Sequence, residues 1–156
     1  MKQQMTVAGM SFLLGAGLLG AGAAMAQQPA VKTTPLLKTT TTITGQKLVF
    51  PSQNPQVTVT LVEIPPGIEV GWHEHPNIRY VYVTEGTLTI EMGDGTRRDF
   101  PAGTLFVEAF GTPHHGLNAG KDPVKVLFID HSEEGQSNMV KADAPALHHG
   151  SPQDQH

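Results

Sequence analysis

Two histidines, His73 and His75, are separated by one residue in the run Trp-His-Glu-His-Pro at positions 72–76. Because side chains alternate between the two faces of an extended strand, both imidazoles point the same way if this run is extended. Two imidazoles directed at one point are the beginning of a metal site, whereas a bare His-x-His is more often a surface or hydrogen-bonded pair. The rest of the chain must therefore supply further ligands and a scaffold that brings them together.

The composition limits which ligands are possible. The 156 residues include eight histidines and no cysteine, so a metal here must be held by imidazole and oxygen ligands, and zinc-ribbon sites are excluded. Ten basic and 14 acidic residues give a formal net charge of −4 without a basic cluster. We therefore expect no nucleic-acid partner.

Short runs of strand-forming residues, separated by turns, fill positions 39–131. In residues 56–63, Val57, Val59 and Leu61 alternate with polar or smaller residues, which is the period of a half-buried strand. Further strands are predicted at 80–85, 87–92, 96–100, 105–107 and 124–130. The run lacks a helical stripe and the chain carries 17 glycines and 12 prolines, so we predict an all-β fold, a small antiparallel sandwich or β-barrel.

A small barrel can join a third histidine to the first two. Inward positions alternate along each barrel strand, so His73 and His75 on one strand and His114 on a neighbour can converge at the barrel mouth. Three neutral imidazoles leave positions on a divalent ion open for water or substrate. The neighbouring His115 should point outward, and the isolated His131 is expected to be a structural or surface residue.

The two ends of the chain differ in composition from the middle. Residues 1–26 combine Lys2, an apolar or small-residue stretch and an Ala-Met-Ala cleavage pattern, which predicts a secretory signal peptide, with an uncleaved membrane anchor as the alternative. Residues 27–38 are predicted to be a flexible linker or arm, residues 39–131 the barrel, and residues 132–156, with His148 and His149, a disordered tail. We expect a secreted protein without a membrane segment after cleavage, periplasmic in a Gram-negative bacterium.

At this point the residues resemble the cupin superfamily over positions 48–130. The first cupin motif is matched by Gly67, His73, His75 and Gly86, and the second by Gly95, Pro101, Gly103, His114 and Asn118. The resemblance implies a double-stranded β-helix, the cupin jelly roll, with a metal at the barrel mouth. It also implies dioxygenase, isomerase or decarboxylase chemistry as options. We interpret Asn118 as a turn-forming residue.

One residue departs from the cupin pattern. Where the resemblance implies a glutamate ligand the chain has Arg79, and a guanidinium cannot ligate a cation. The site then has three histidines only, or is completed by another carboxylate, or has lost its metal. Glu108 is the best replacement, because it lies in an apolar run that leads to His114, although it could also be a strand-end residue facing water. Glu74 should face away from its two histidine neighbours.

The residues of a substrate pocket are predicted less specifically. Arg79 could bind an anion at the barrel mouth, or it could be an outward strand residue paired with an acid, and its motif position would aim it inward. Tyr82 and Phe106 could line a pocket for a small organic ligand, but aromatic residues in so small a barrel are more often core. The predicted pocket residues are Arg79, Tyr82 and Phe106.

The functional hypotheses therefore come from different classes. The first is a secreted enzyme that holds Fe, Mn, Ni, Cu or Zn on His73, His75 and His114, with Glu108, and acts on a small oxygen-bearing substrate. The second is a non-catalytic periplasmic module that binds a metal or small ligand, and the third is a metal-free structural cupin. Whether the protein is an enzyme stays open at this stage. Residues 39–44 have strand composition and could add to a partner's sheet, as in a homodimer.

Overall fold

The alternation in residues 56–63 corresponds to strand β1 (Pro55–Ile64), the first of nine strands in the computed structural model, which describes residues 30–144. The other strands are β2 (His73–Glu74), β3 (Arg79–Glu85), β4 (Thr87–Met92), β5 (Arg97–Pro101), β6 (Leu105–Val107), β7 (His114–Leu117), β8 (Val124–Glu133) and β9 (Val140–Lys141). All nine lie in the unit that begins at Thr34.

The strands form two antiparallel sheets. One has the order β1-β8-β3-β6 and the other the order β5-β4-β7-β2-β9. Along the chain the strands thus alternate between the sheets, except for β4 and β5, which pair with each other in one sheet. This is the arrangement of a double-stranded β-helix, and the predicted all-β class is confirmed. The core between the sheets contains Val81, Val83, Leu88, Ile90 and Val126. Within residues 30–144 no helix has the length and apolarity to cross a membrane.

Strand β1 carries its most apolar row on the outside. Val57, Val59 and Leu61 are 56, 57 and 65% exposed, whereas Ile64 on the opposite face is buried. The row continues across the register, since Val59 lies opposite Ile129 and Leu61 opposite Leu127. The period of the strand was therefore predicted correctly, but the more apolar face is not the face that packs in the core.

The barrel does not end at residue 131, which corrects the predicted boundary. Strand β8 continues to Glu133, and β9 pairs with β2, where Glu74 lies opposite Val140. Ser132 and Asn138 are buried, which holds this segment against the barrel. Residues 145–156, including His148 and His149, lie outside the described residues.

The segment before β1 bonds within its own chain. Residues 30–38 form no helix or strand and are exposed, while residues 1–29 lie outside the described residues. Thr41 pairs with Lys47, and the main-chain nitrogen of Ile43 donates to the main-chain oxygen of Val107 beside β6. Residues 39–44 therefore fold back in a turn and contact β6 of their own chain, and their pairing with a partner's sheet stays a prediction.

Candidate metal centre

Three buried imidazoles meet between the two sheets. Strand β2 pairs with β7 so that His73 lies directly opposite His114, and His75 follows β2 by one residue. The imidazole centroids are 4.7 Å apart for His73 and His114, 4.9 Å for His73 and His75, and 5.0 Å for His75 and His114. One nitrogen from each ring lies within 4.8 Å of the others, so one ion can contact all three rings.

The same hydrogen-bond pattern fixes all three rings. Nδ1 of His73 is 2.7 Å from the main-chain oxygen of Gly71, and Nδ1 of His114 is 2.8 Å from that of Thr112. Nδ1 of His75 is 2.5 Å from the main-chain oxygen of Asn138. A carbonyl oxygen can only accept, so each Nδ1 carries the proton and each Nε2 of a neutral ring keeps a free lone pair. This tautomer is the one that presents three Nε2 atoms to a metal.

Glu108 reaches the triad from the opposite sheet. It follows β6, and its Oε2 lies 3.1 Å from Nε2 of His75, while its Oε1 lies 3.7 Å from Nε2 of His114. In the tautomer given above, Nε2 of His75 and Oε2 of Glu108 are both acceptors, so their contact is not a hydrogen bond. Three atoms are therefore buried without a hydrogen-bond partner among the described residues: Nε2 of His75, Nε2 of His114 and Oε2 of Glu108. Buried polar atoms are costly unless paired, and a bound cation would satisfy these three together.

The position of Glu108 follows from strand pairing. Tyr80 on β3 lies opposite Val107 on β6, and one pair further the main-chain nitrogen of Glu108 donates to the oxygen of Arg79 at 3.0 Å. Opposite residues of an antiparallel pair share a face of the sheet. The carboxylate of Glu108 therefore lies next to the end of β6, the strand that neighbours β3, whereas the cupin pattern has its glutamate at the position of Arg79 on β3.

Arg79 is paired with Asp130. On β8, Asp130 lies opposite Arg79, and its two carboxylate oxygens accept from Nε and Nη2 of Arg79 at 2.7 and 2.9 Å. Both side chains are buried, and the guanidinium carbon lies 4.6 Å from the ring centroid of Phe128. Arg79 thus pairs with an acid, as one alternative predicted, but it does so in a buried position beside the cavity and not on the outer face.

The environment favours a site with neutral imidazoles and an ionised carboxylate. Burial lowers the pKa of His73 from 6.5 to about 4 and also lowers the pKa of His114. Burial by itself raises the pKa of Glu108, but the adjacent His75, with His114 and Arg79 nearby, brings it down from 4.5 to about 2. Near neutral pH, His73 and His114 are thus neutral donors beside an ionised Glu108, and imidazole and carboxylate donors together suit a transition-metal site.

A cavity of about 310 Å³ opens beside the triad and is lined by His73, Arg79 and Glu108 at one end. A larger cavity of about 670 Å³ lies between the β4–β5 hairpin and the N-terminal segment, but no histidine lines it. A third cavity of about 550 Å³ also touches His73, on the side of Trp72 and residues 139–144, but Glu108 does not line it. We regard the cavity of about 310 Å³ as the ligand site, because it alone among these three contacts both His73 and Glu108.

Two predicted pocket residues lie elsewhere. Tyr82 on β3 alternates with the core residues Val81 and Val83, so it faces the other side of the sheet and does not line the cavity beside the triad. Phe106 is buried and stacks on Phe100 with the ring centroids 3.8 Å apart, so it packs the core. Both placements correct the prediction; strand alternation is the physical reason for Tyr82, and stacking on Phe100 in the core is the reason for Phe106.

Asn138 is part of the site and was missed from the sequence. Its main-chain oxygen holds His75, and its side-chain amide donates to Asp130 at 2.7 Å and accepts from the main-chain nitrogen of Asn77 at 2.8 Å. It lies in a polar, aperiodic stretch that has no sequence signal for burial. Asp130 could have been found, since an acid at the end of a buried strand needs a partner such as Arg79.

The remaining polar residues are structural in this fold. His115 faces away from the triad and packs on Trp72 at 4.5 Å between ring centroids. His131 lies edge-on to Phe50 and Tyr80. Asn118 donates to the main-chain oxygens of Ile64 and Asp122 at 2.9 and 2.8 Å and accepts from the nitrogen of Gly120, so it stabilises the turn before β8.

Residues 60–130 match the family model described as Cupin_2, cupin domain. No match was found among curated proteins. Among solved structures, the chain is similar to the DMSP lyase DddQ from Ruegeria pomeroyi DSS-3, at 18% identity and a TM-score of 0.49 over 58% of this chain and 45% of that chain. It is similar to an uncharacterised protein with a double-stranded β-helix domain from Klebsiella pneumoniae, at 22% identity and a TM-score of 0.48 over 60% and 84% of the two chains. A third similar structure is an oxalate oxidase in complex with the substrate analogue glycolate, at 23% identity and a TM-score of 0.46 over 54% and 45%. The chain spans less than half the length of the lyase and of the oxidase.

Proposed function

We propose that the cupin domain of residues 60–130 holds one divalent transition metal on Nε2 of His73, His75 and His114, with Glu108 as the fourth ligand. The observation that carries the proposal is the shared tautomer: three main-chain carbonyls take the three Nδ1 protons, which leaves the three Nε2 atoms directed at one point. A donor set of imidazoles and one carboxylate suits Fe, Mn, Ni, Cu or Zn.

The charge of the site supports a cation. Burial lowers the pKa of His73 and His114, Arg79 and Asp130 cancel one another, and Glu108 leaves one negative charge in a buried place. A buried uncompensated carboxylate is unfavourable in a folded protein, and a divalent ion between it and the imidazoles removes that cost.

We further propose that the domain acts on a small oxygen-bearing organic molecule, in dioxygenase- or isomerase-like chemistry. A bound ion of this class polarises an oxygen donor or activates dioxygen. The chain's own residues shape the site: His73 and Glu108 form the polar end of the cavity, and apolar side chains line most of the rest. Export of the protein is part of the proposal and rests on the sequence of residues 1–26.

Turnover by the metal-loaded chain tests the catalytic part. Enols, phenols and keto acids are offered in air and under nitrogen, with oxygen uptake and product formation followed. We expect turnover of at least one class that is lost in His114→Ala and kept in His115→Ala, which is a matched substitution one residue along the strand. A chain that binds metal and converts none of these compounds would contradict the enzyme and leave a binding module.

A further inference from the structure

The cavity beside the metal centre has one polar end and apolar walls. His73, Arg79 and Glu108 form the polar end, and most of the remaining wall is aliphatic or aromatic, from Val62, Ile64, Val70, Leu88, Ile90 and Phe128. Its volume of about 310 Å³ is at the lower end of the range for small-molecule sites. A ligand that fills it must therefore be small and must lay an apolar body against these walls.

With a divalent ion bound, the polar end of the cavity carries one net positive charge, which one anionic group on a ligand would neutralise. Arg79 is the cation nearest the cavity, but Asp130 neutralises it through two hydrogen bonds of 2.7 and 2.9 Å. Two positive charges on a bound ion, one negative charge on Glu108 and the neutral Arg79–Asp130 pair leave a single positive charge. One anionic oxygen donor on the ligand compensates that charge.

A second anionic group on the ligand meets no cation in the cavity, because the hydroxyl of Thr60 is the one polar side-chain group among the described lining residues beyond the polar end. It would be placed against the aliphatic and aromatic side chains of the wall, and an ionised group transferred to such surroundings without a partner loses its hydration at a large cost. Hydroxyl-rich ligands meet the same obstacle with each unpaired hydroxyl.

We infer that the site takes small molecules with one anionic oxygen donor and an apolar body, and that it rejects dicarboxylates of the same length. The inference rests on the proposed function, since the ion supplies the charge that the donor compensates. Arg79 contributes as half of a fixed neutral pair, which sets the polarity of the cavity end.

A matched pair of probes tests the inference. Hexanoate and adipate have six carbons each and differ by one terminal carboxylate. The tag-free full chain is first loaded with Co(II), with uptake measured by its visible absorption, and each probe is then titrated by calorimetry. We expect hexanoate to bind at least about tenfold more tightly than adipate and to change the Co(II) spectrum as its oxygen approaches the ion.

A variant of the cavity wall separates this site from others on the protein. Gly116 lines the cavity, and a Cβ added there would lie 3.6 Å from Cδ1 of Ile90 and Cδ1 of Leu88, in ordinary contact. Gly116→Ala should therefore fold with a slightly smaller cavity, and Gly116→Val should fill more of it. We expect Co(II) uptake to be kept in both variants and hexanoate affinity to fall in that order, by about tenfold or more in Gly116→Val.

The outcomes distinguish the two proposals. No Co(II) uptake by the wild-type chain overturns the proposed function, and the inference with it. Co(II) uptake with adipate bound as tightly as hexanoate overturns the inference alone. Hexanoate affinity unchanged in Gly116→Val also overturns it, because the probe then binds elsewhere.

Discussion

Oε2 of Glu108 lies 3.1 Å from Nε2 of His75, although the two residues follow strands of different sheets. The contact places a carboxylate beside the imidazoles from β6, whereas the usual cupin position for a glutamate, on β3, holds Arg79. The metal centre of this chain is thus built across both sheets, and each part of that arrangement can be tested.

Glu108→Gln keeps the size of the side chain and removes its charge. If Glu108 is a ligand, metal affinity should fall by about tenfold or more, because a neutral amide oxygen is a weaker donor to a cation. Metal affinity is measured by competition with a chelator. Glu74→Gln is the matched control, since Glu74 lies between the two histidines but outside the cluster, and equal affinities of the two variants would remove Glu108 from the site.

Asp130→Asn should destabilise the protein strongly. The substitution leaves the buried guanidinium of Arg79 without its charge partner, and breaking a buried pair in this way costs about 3–5 kcal/mol in the free energy of unfolding. The measurement is denaturant unfolding of the metal-free protein. Glu85→Gln, which breaks the exposed pair with Lys125, should leave stability unchanged within error, and a similarly small effect of Asp130→Asn would contradict the role given to the pair.

Asn138→Ala should weaken metal binding although Asn138 is not itself a ligand. The side chain fixes the segment whose main-chain oxygen accepts from Nδ1 of His75, so its removal frees that ring to rotate. Loss of such a supporting contact typically weakens metal binding by about 10–100-fold. Metal dissociation into excess chelator measures the effect, and Ser137→Ala, at an exposed neighbour in the same loop, should dissociate at the wild-type rate.

The metal-free protein should lose stability as the pH falls below neutrality. Burial holds the pKa of His73 at about 4, so between pH 6.5 and 4 the unfolded chain binds protons that the folded protein does not. The free energy of unfolding therefore rises with pH in this window. Glu108, with its pKa lowered from 4.5 to about 2, acts in the same direction at lower pH, since its contribution is complete above 4.5 and is lost as the pH falls towards 2.

Denaturant unfolding at a series of pH values measures this slope. His73→Gln should flatten it between pH 6.5 and 4, whereas His131→Gln, outside the cluster, should keep it. A wild-type protein whose free energy of unfolding is the same at pH 6.5 and pH 4 would contradict this prediction.

The triad could be predicted from the sequence, because two of its histidines are neighbours in the chain and the third lies in a recognisable motif. The spacing of His73 and His75, and the place of His114 in a second glycine- and proline-rich motif, are visible without a structure. Glu108 was suggested by its apolar surroundings, and the register between β3 and β6 gives the reason for its position.

Other features depend on which elements meet in space. Strand β2 has only two residues, too few to show a strand period in the sequence. Asn138 lies in a polar segment whose position depends on the pairing of β9 with β2, which the sequence does not reveal. The apolar row of β1 is exposed, so its period alone could not assign the buried face. Tyr82 and Phe106 have the composition of pocket residues, but strand alternation and core stacking decide their orientation.

The most direct test of the central claim is the metal content of the tag-free full chain, purified after growth with iron, manganese and zinc supplied. The three imidazoles and Glu108 predict close to one transition metal per chain, lost in a His73→Ala, His75→Ala double variant. A His148→Ala, His149→Ala double variant, with the same number of histidines removed outside the cluster, should keep it. A metal-free wild-type protein, or full occupancy in the His73→Ala, His75→Ala variant, would contradict the account.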